Sequence, residues 1–194
     1  MIVSINQPAY LPWRPYFDRI AMSDLHIVLD HVQFEKGSFT NRTKIQLPDG
    51  RLIWLTVPVE KGLPINTTKI VGDHWRDKHL GTLWQTFGRS IDILVSPRRM
   101  LRDLLAEQLE VLRTILGIQT EIVSSSHLRI EEKGSALILA LCREVEADVY
   151  LSGPLGRNYL DLPAFERAGI EVRFHDYVPP DPPVSVLHEL FPRT

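Results

Sequence analysis

The sequence predicts an α/β fold, in which a mostly parallel sheet is flanked by helices and a β-hairpin is inserted near residues 44–58. Three observations support this fold class. Strands and helices alternate along most of the chain, its start has the outline of a βαβ unit, and an Asp-Gly turn separates two apolar runs. A chain of 194 residues fits one such domain, so we expect residues 1–194 to form a single domain.

The βαβ pattern begins at the N-terminus. Residues 2–5 are β-rich and are soon followed by a proline, so they predict a strand that leads into a loop. The loop over 7–15 holds three prolines, which restrict its backbone and make it stiff. Apolar residues over 16–23 recur at helical spacing, and residues 25–29 form a second apolar run. This order of strand, short helix and strand predicts a βαβ unit.

The next segment has a different residue pattern, which predicts the hairpin. Residues 44–47 and 52–58 are rich in apolar and β-branched side chains, and they flank a turn over 48–51 with Asp-Gly at its centre. Such a turn between two apolar runs is a strong hairpin signal. A further strand is predicted over 65–71.

The rest of the chain returns to alternating helices and strands. Helices are predicted over 79–88, 97–116, 135–145 and 164–168, and strands over 120–124, 149–151 and 170–174. The longest of these helices repeats leucine every three or four residues and ends at Gly117, a natural C-cap. The tail from residue 179 is proline-rich and is predicted to be irregular.

Composition narrows the functional classes. Hydrophobic residues make up 44% and charged residues 24%, which is ordinary for a globular chain. The net charge of −2 does not suggest non-specific binding to nucleic acid. The single cysteine, Cys142, rules out an internal disulfide and is predicted to be a buried thiol. No apolar run approaches the roughly 20 residues of a membrane span, and the N-terminus does not resemble a secretory signal, so we expect a cytoplasmic protein.

Polar residues follow several of the predicted strands. In open parallel sheets, ligands bind beyond the carboxyl ends of the strands. The loops that start at Gln7, Asp30, Ser124 and Ser152 each follow a predicted strand. We therefore expect these loops to converge on one cleft.

The first of these loops offers groups suited to ligand binding. Gln7 has both an amide donor and an acceptor, and Tyr10, Trp13 and Tyr16 have aromatic faces with polar tips. A stiff loop can hold such groups with little ordering cost on binding. A structural corner in which Tyr10 and Trp13 fill the core is an equal alternative.

The second loop offers candidates for proton transfer. Asp30 ends a strand, where its carboxylate can orient an amine, a hydroxyl or the neighbouring imidazole of His31. Histidine is the usual general base near neutral pH, and His31 and His79 are the better candidates of the seven. Their spacing matches no zinc motif, so we predict no metal and no cofactor, although oxygen-ligated Mg²⁺ leaves little trace in a sequence. No Walker loop and no Gly-x-Gly-x-x-Gly motif is present.

Four polar residues after His31 could bind an anion. Gln33, Asn41, Arg42 and Lys44 carry donors suited to phosphate or carboxylate, as in a nucleotide-linked or thioester substrate. The alternative is a hydrophilic loop and a solvated strand edge, which is the favoured interpretation for Lys44 alone.

Five segments form a specific pattern: residues 7–13, 16–18, 30–34, 39–45 and 54–59. This pattern resembles the WbqC-like family, whose members occur in gene clusters for bacterial O-antigen and other surface polysaccharides. Weaker similarity continues at residues 75–79, at Ser125, and over 150–153 and 159–161.

The resemblance implies a transferase that joins an acyl or aminoacyl group, such as glycyl, to an amino sugar nucleotide. Its implied partners are a nucleotide-linked amino sugar and an acyl-carrier protein. Such a reaction needs a base for the ammonium group and donors for the carbonyl oxygen. Asp30 or His31 is the implied base, and Gln7, Asn41 or Arg42 the implied donor. The alternatives are a non-catalytic module that binds a small molecule or a carrier protein, and a thioester or amide hydrolase.

The remaining predicted substrate contacts come from aromatic residues, polar side chains and the later matching segments. They are Tyr10, Trp13, Tyr16, Gln33, Lys44, His79, Ser125, Ser152 and Tyr159.

Overall fold

The computed structural model of the protein describes residues 1–178 and 181–193. Its strands, numbered in chain order, are β1 (Ile2–Asn6), β2 (Leu25–Val28), β3 (Arg42–Gln46), β4 (Leu52–Thr56), β5 (Glu121–Ser124), β6 (Val149–Ser152) and β7 (Glu171–Phe174). Its α-helices are α1 (Arg14–Ala21), α2 (His74–Phe87), α3 (Leu101–Ile115), α4 (Gly134–Glu144), α5 (Leu162–Arg167) and α6 (Leu187–Leu190).

Five strands form a sheet that is parallel throughout, in the order β5-β2-β1-β6-β7. The chain first builds the side of the sheet that contains β1, β2 and β5, and then crosses to add β6 and β7 beyond β1. The direction of winding therefore reverses between β1 and β6, which makes this pair of strands the topological switch point. The α/β fold and the parallel sheet predicted from the sequence are confirmed.

Continuous apolar runs explain why these strands lie at the centre. Residues Val3 and Ile5 of β1 and Ile27 of β2 are buried, as is the whole of β6. Strands covered by helices on both faces have such runs rather than alternating polar residues. The helix α1 buries Phe17 and Ile20 on the side that faces the core.

The hairpin is a separate antiparallel pair, β3 and β4, with Thr43 opposite Leu55 and Ile45 opposite Ile53. Alternate residues of β3 are buried, the pattern of a sheet with one covered face. Gly50 in the turn has a φ of 85°, a left-handed conformation that glycine adopts without strain. The predicted insertion near residues 44–58 is confirmed.

The prediction of a strand over 65–71 is wrong. A 3₁₀ turn occupies Ile65–Thr67, and Lys69 and Ile70 form only isolated bridges. The Thr67 and Thr68 hydroxyls donate to the carbonyl of Pro64, at 3.2 and 2.8 Å. Local side-chain bonds of this kind compete with the ladder of a strand.

Two further boundaries differ from the prediction. Helix α2 begins at His74, so its buried face starts with Trp75 and continues through His79 and Leu83 at a spacing of four residues. The tail contains the short helix α6, although it was predicted to be irregular. Cys142 is buried as predicted, and burial raises the pKa of its thiol to about 12.

The chain forms two compact units, each built from separate segments. The sheet unit comprises Met1–Gln7, Pro15–Asp30 and Ile118–Val178, and the hairpin unit comprises Pro8–Arg14, His31–Gly117 and residues 181–193. None of the helices in residues 1–178 and 181–193 combines the length and apolar character that a membrane span requires.

Candidate functional site

The carboxyl edge of the parallel sheet is the candidate site in the sheet unit. Because the strands are parallel, the residues that follow them all lie at this edge. Gln7 follows β1, Asp30 lies just beyond β2, Ser125 follows β5, and Ser152 ends β6. A ligand of a doubly wound sheet binds outside this edge, at the switch point between β1 and β6.

Asp30 is a buried carboxylate that links two neighbouring strand ends. Its oxygens accept hydrogen bonds from Ser125 Oγ at 3.1 Å, from the Ser126 backbone N at 2.9 Å and from Ser126 Oγ at 2.8 Å. The Asp30 backbone N in turn donates to Ser125 Oγ at 3.1 Å. These bonds fix the orientation of the carboxylate and join the end of β2 to the turn after β5.

Arg19 is a buried charged residue at the same edge that the sequence interpretation missed. It lies on α1 and is 6% exposed. A Cβ atom placed on Gly153 would lie 2.4 Å from Arg19 Nη1, so the guanidinium packs directly on the glycine that follows β6. Its spacing of three residues from buried Tyr16 was the available signal, since it sets a charged residue on the apolar face of the helix.

The charge of Arg19 has no counterion among its described neighbours. The Arg19 Nε is buried without a hydrogen-bond partner, and the groups that act on the guanidinium are the phenols of Tyr16, Tyr150, Tyr159 and Tyr177. Burial raises the pKa of Tyr16 and Tyr150 well above the usual range, so these phenols stay neutral. Burial also lowers the pKa of Arg19 below its ordinary value.

A second unpartnered group lies at this edge. His175 follows β7, and its backbone N donates to the carbonyl of Ser152 at 2.8 Å. Its Nδ1 is buried without a partner in the described part of the chain. Burial and the nearby charge of Arg19 both lower the pKa of His175.

Ser152 and Tyr159 lie in the same neighbourhood as Arg19. The Ser152 hydroxyl donates to the carbonyl of Gly153 at 3.1 Å, and a Cβ on Gly156 would lie 2.1 Å from it, so glycine is needed there. Tyr159 is 52% exposed, and burial raises the pKa of its phenol. Tyr16, by contrast, is wholly buried, with its ring edge-on to Phe17. Of these predicted contacts, Tyr159 is the one most open to solvent.

The predicted residues of the hairpin unit fall into an interior set and a surface set. In the interior set, Tyr10 Oη lies 2.8 Å from His79 Nδ1, and Asn41 Nδ2 donates to the carbonyl of Val57 at 2.8 Å. Burial lowers the pKa of His79 to about 4. These three side chains are part of the packed interior, and their contact with substrate stays a prediction.

The surface set is an aromatic and cationic cluster. Trp13 packs on Phe39 with ring centroids 4.9 Å apart, and Phe39 packs on Trp54 at 5.6 Å. The Arg42 guanidinium lies 4.1 Å from the Trp54 ring centroid, and Lys44 Nζ lies 5.2 Å from it. The Arg42 Nη2 also donates to the carbonyl of Gly37.

The two other predicted residues lie near the start of the hairpin unit. Gln33 is exposed and donates through Nε2 to the carbonyl of Leu63 at 3.1 Å. His31 is half-buried. The expectation that residues of both sets share one cleft with Gln7 and Asp30 stays a prediction.

A family model described as the WbqC-like protein family matches residues 7–183. The uncharacterized protein Rv1507c of Mycobacterium tuberculosis is 32% identical over 190 residues, which covers 90% of this chain and 82% of that protein. No solved structure matches the chain significantly.

Proposed function

Because the chain belongs to the WbqC-like protein family, we propose that it transfers an acyl or aminoacyl group, such as glycyl, to the amine of a nucleotide-linked amino sugar. This reaction would serve the assembly of a bacterial surface polysaccharide, and the activated group would arrive as a thioester on a carrier protein. The proposal places the work of the protein in the cytoplasm, where nucleotide sugars are made.

The observation that carries this proposal is the polar edge at the switch point of the sheet. Strands β1, β2, β5 and β6 all end there, and each is followed or ended by a side chain with hydrogen-bonding groups. Nucleotides bind at the equivalent edge in other doubly wound sheets. A nucleotide-linked substrate therefore suits this edge.

Acyl transfer to an amine requires two contributions from the protein. The base takes a proton from the sugar ammonium group, and the free amine then attacks the thioester carbonyl carbon. As the carbon–sulfur bond breaks, the attacking nitrogen loses a second proton, which the departing sulfur takes, so the carrier leaves as a thiol. The carbonyl oxygen needs hydrogen-bond donors while it carries charge. We assign the base to Asp30, whose orientation is fixed by three hydrogen bonds, and the donor to Gln7.

Transfer can be measured by mass spectrometry of a UDP- or dTDP-linked amino sugar after incubation with a glycyl-loaded carrier protein. We expect a glycyl adduct on the sugar with the native chain and a loss of at least about 100-fold in rate with Asp30→Asn. The matched control is Asp77→Asn on the exposed side of α2, which should keep the native rate.

Three outcomes would contradict the proposal. Native activity in Asp30→Asn would remove that residue as the base. Release of free glycine without a modified sugar would indicate a hydrolase. Binding of the sugar in a thermal-shift assay with neither product would indicate a binding module.

A further inference from the structure

We infer that Arg19 and Gly153 form an anion subsite at the carboxyl edge of the sheet unit, and that the subsite takes a phosphate group. The identification of this group as part of a nucleotide-linked substrate rests on the proposed function. The subsite itself depends only on the geometry around α1 and β6.

The first argument is the uncompensated charge. Arginine is almost never buried unless it is paired, because transfer of an unpaired charge from water costs several kcal/mol. Arg19 is 6% exposed, and its Nε is buried without a hydrogen-bond partner among residues 1–178 and 181–193. Its described electrostatic neighbours are tyrosine side chains rather than carboxylates, and two of them, Tyr16 and Tyr150, stay neutral because burial raises their pKa. A bound anion would balance the positive charge of Arg19.

The second argument is location. Arg19 packs on Gly153, the residue that directly follows β6, and β6 is one of the two strands at the switch point. A side chain on residue 153 would occupy the space that the guanidinium fills. The fold therefore holds a planar group with several N–H donors at the place where doubly wound sheets bind phosphate-bearing ligands.

The third argument is a second donor. His175 Nδ1 is buried at the same edge and lacks a partner in the described residues, and the charge of Arg19 acts on this ring. An imidazole N–H and a guanidinium can both donate to the oxygens of one phosphate group. A neutral sugar hydroxyl would accept a hydrogen bond but would leave the charge uncompensated, so the chemistry favours an anion.

The inference is tested by titrating the native protein with inorganic pyrophosphate at constant ionic strength in a calorimeter. We expect saturable binding to the native chain and affinity about 10- to 100-fold lower in Arg19→Met, the range for loss of charge-assisted hydrogen bonds. Arg167→Met is the matched control, since Arg167 is exposed on α5 of the same unit, and its affinity should equal that of the native chain.

Thermal melting without ligand separates a binding role from a structural one. Because Arg19→Met removes an uncompensated buried charge and keeps a similar stem, we expect its Tm to equal or exceed the native Tm. Gly153→Ala keeps the charge but places a methyl group 2.4 Å from Nη1, so it should also weaken pyrophosphate binding. Arg19→Lys keeps the charge without the planar fork and should bind with intermediate affinity.

Two results would overturn the inference. One is the absence of pyrophosphate binding to the native protein, or equal binding by Arg19→Met. The other is a lower Tm of Arg19→Met with unchanged pyrophosphate affinity, which would show a structural role. Because pyrophosphate binding requires no acyl donor, the subsite can stand even if transfer is never observed, and transfer can be observed without the subsite.

Discussion

Gln108 of the hairpin unit is a wholly buried side chain with two internal hydrogen bonds, whereas Arg19 and His175 of the sheet unit each bury a nitrogen atom without a partner among the residues described. Gln108 on α3 accepts a hydrogen bond from the Leu11 backbone N at 3.3 Å and donates to the carbonyl of Leu94. In the sheet unit, Arg19 Nε and His175 Nδ1 are buried and lack such partners in the residues described. Both are located at the carboxyl edge of the sheet.

This difference distinguishes polar groups that stabilise the fold from polar groups that remain available to a ligand. A buried donor or acceptor without a partner costs about 1 to 3 kcal/mol, so most are satisfied within the fold. Tyr10, Asn41 and His79, which looked like ligand-binding residues in the sequence, are satisfied within the hairpin unit. Arg19 and His175 retain hydrogen-bonding capacity that a ligand can use.

Of the substitutions that test this comparison, Gln108→Leu is expected to change the free energy of unfolding most. This change keeps the volume but leaves the Leu11 N–H and the Leu94 carbonyl buried without partners, so the free energy of unfolding should fall by about 2 to 5 kcal/mol. Urea denaturation measures this change. Gln85→Leu, at an exposed position on α2, is the control and should shift stability by less than about 0.5 kcal/mol. A change of less than about 0.5 kcal/mol for Gln108→Leu would contradict the contrast between Gln108 and the unpartnered atoms of the sheet unit.

The second prediction concerns one buried histidine from each unit. Burial lowers the pKa of His26 to about 3 and that of His79 to about 4. Below pH 6.5 the unfolded chain therefore binds protons that the folded chain does not, and stability falls as the pH falls towards 4. Each histidine contributes up to about 1.4 kcal/mol per pH unit in this window.

Urea denaturation at pH 7, 6 and 5 measures the pH dependence of stability. Because His79→Gln removes one of these contributions, its curve between pH 6 and 5 should be shallower than the native curve by up to about 1.4 kcal/mol per pH unit. His26 belongs to the sheet unit, where its Nδ1 lies 2.8 Å from Ser4 Oγ. His26→Gln should reduce the slope by a similar amount. Curves as steep as the native one would contradict the prediction.

The smallest effect is expected on the surface of the hairpin unit. Trp54 is 40% exposed and carries the Arg42 guanidinium over its ring. Because exposed cation–π pairs are weak, Trp54→Ala should lower the free energy of unfolding by about 1 kcal/mol. Trp84→Ala on α2 is the control, at a more exposed tryptophan of the same unit, and should cost less. Equal losses of stability in the two variants would show that the Arg42–Trp54 pair makes no specific contribution.

Much of the fold was predictable from local patterns. The Asp-Gly turn between apolar runs identified the β3–β4 hairpin, and the alternation of strands and helices identified the parallel sheet. The strand predicted over 65–71 failed because the Thr67 and Thr68 hydroxyls bond locally to Pro64. The spacing of apolar residues carries no information about such hydrogen bonds.

The candidate site was only partly predictable. The sequence places Gln7, Asp30, Ser124 and Ser152 at the carboxyl ends of strands, and they lie there because strand ends are set by local sequence. The hydrogen bonds from Ser125 and Ser126 to Asp30 connect residues almost one hundred positions apart, so no local pattern indicates them.

The sequence by itself determined most of the strands and helices, since periodicity and turn residues act over a few neighbouring positions. Only the tertiary structure decided which polar side chains find partners. Tyr10 and His79 meet across 69 residues of sequence, and Arg19 is buried against Gly153, which follows the distant strand β6. Burial and pairing depend on such long-range packing, and they determine whether a polar group supports the fold or remains available to a ligand.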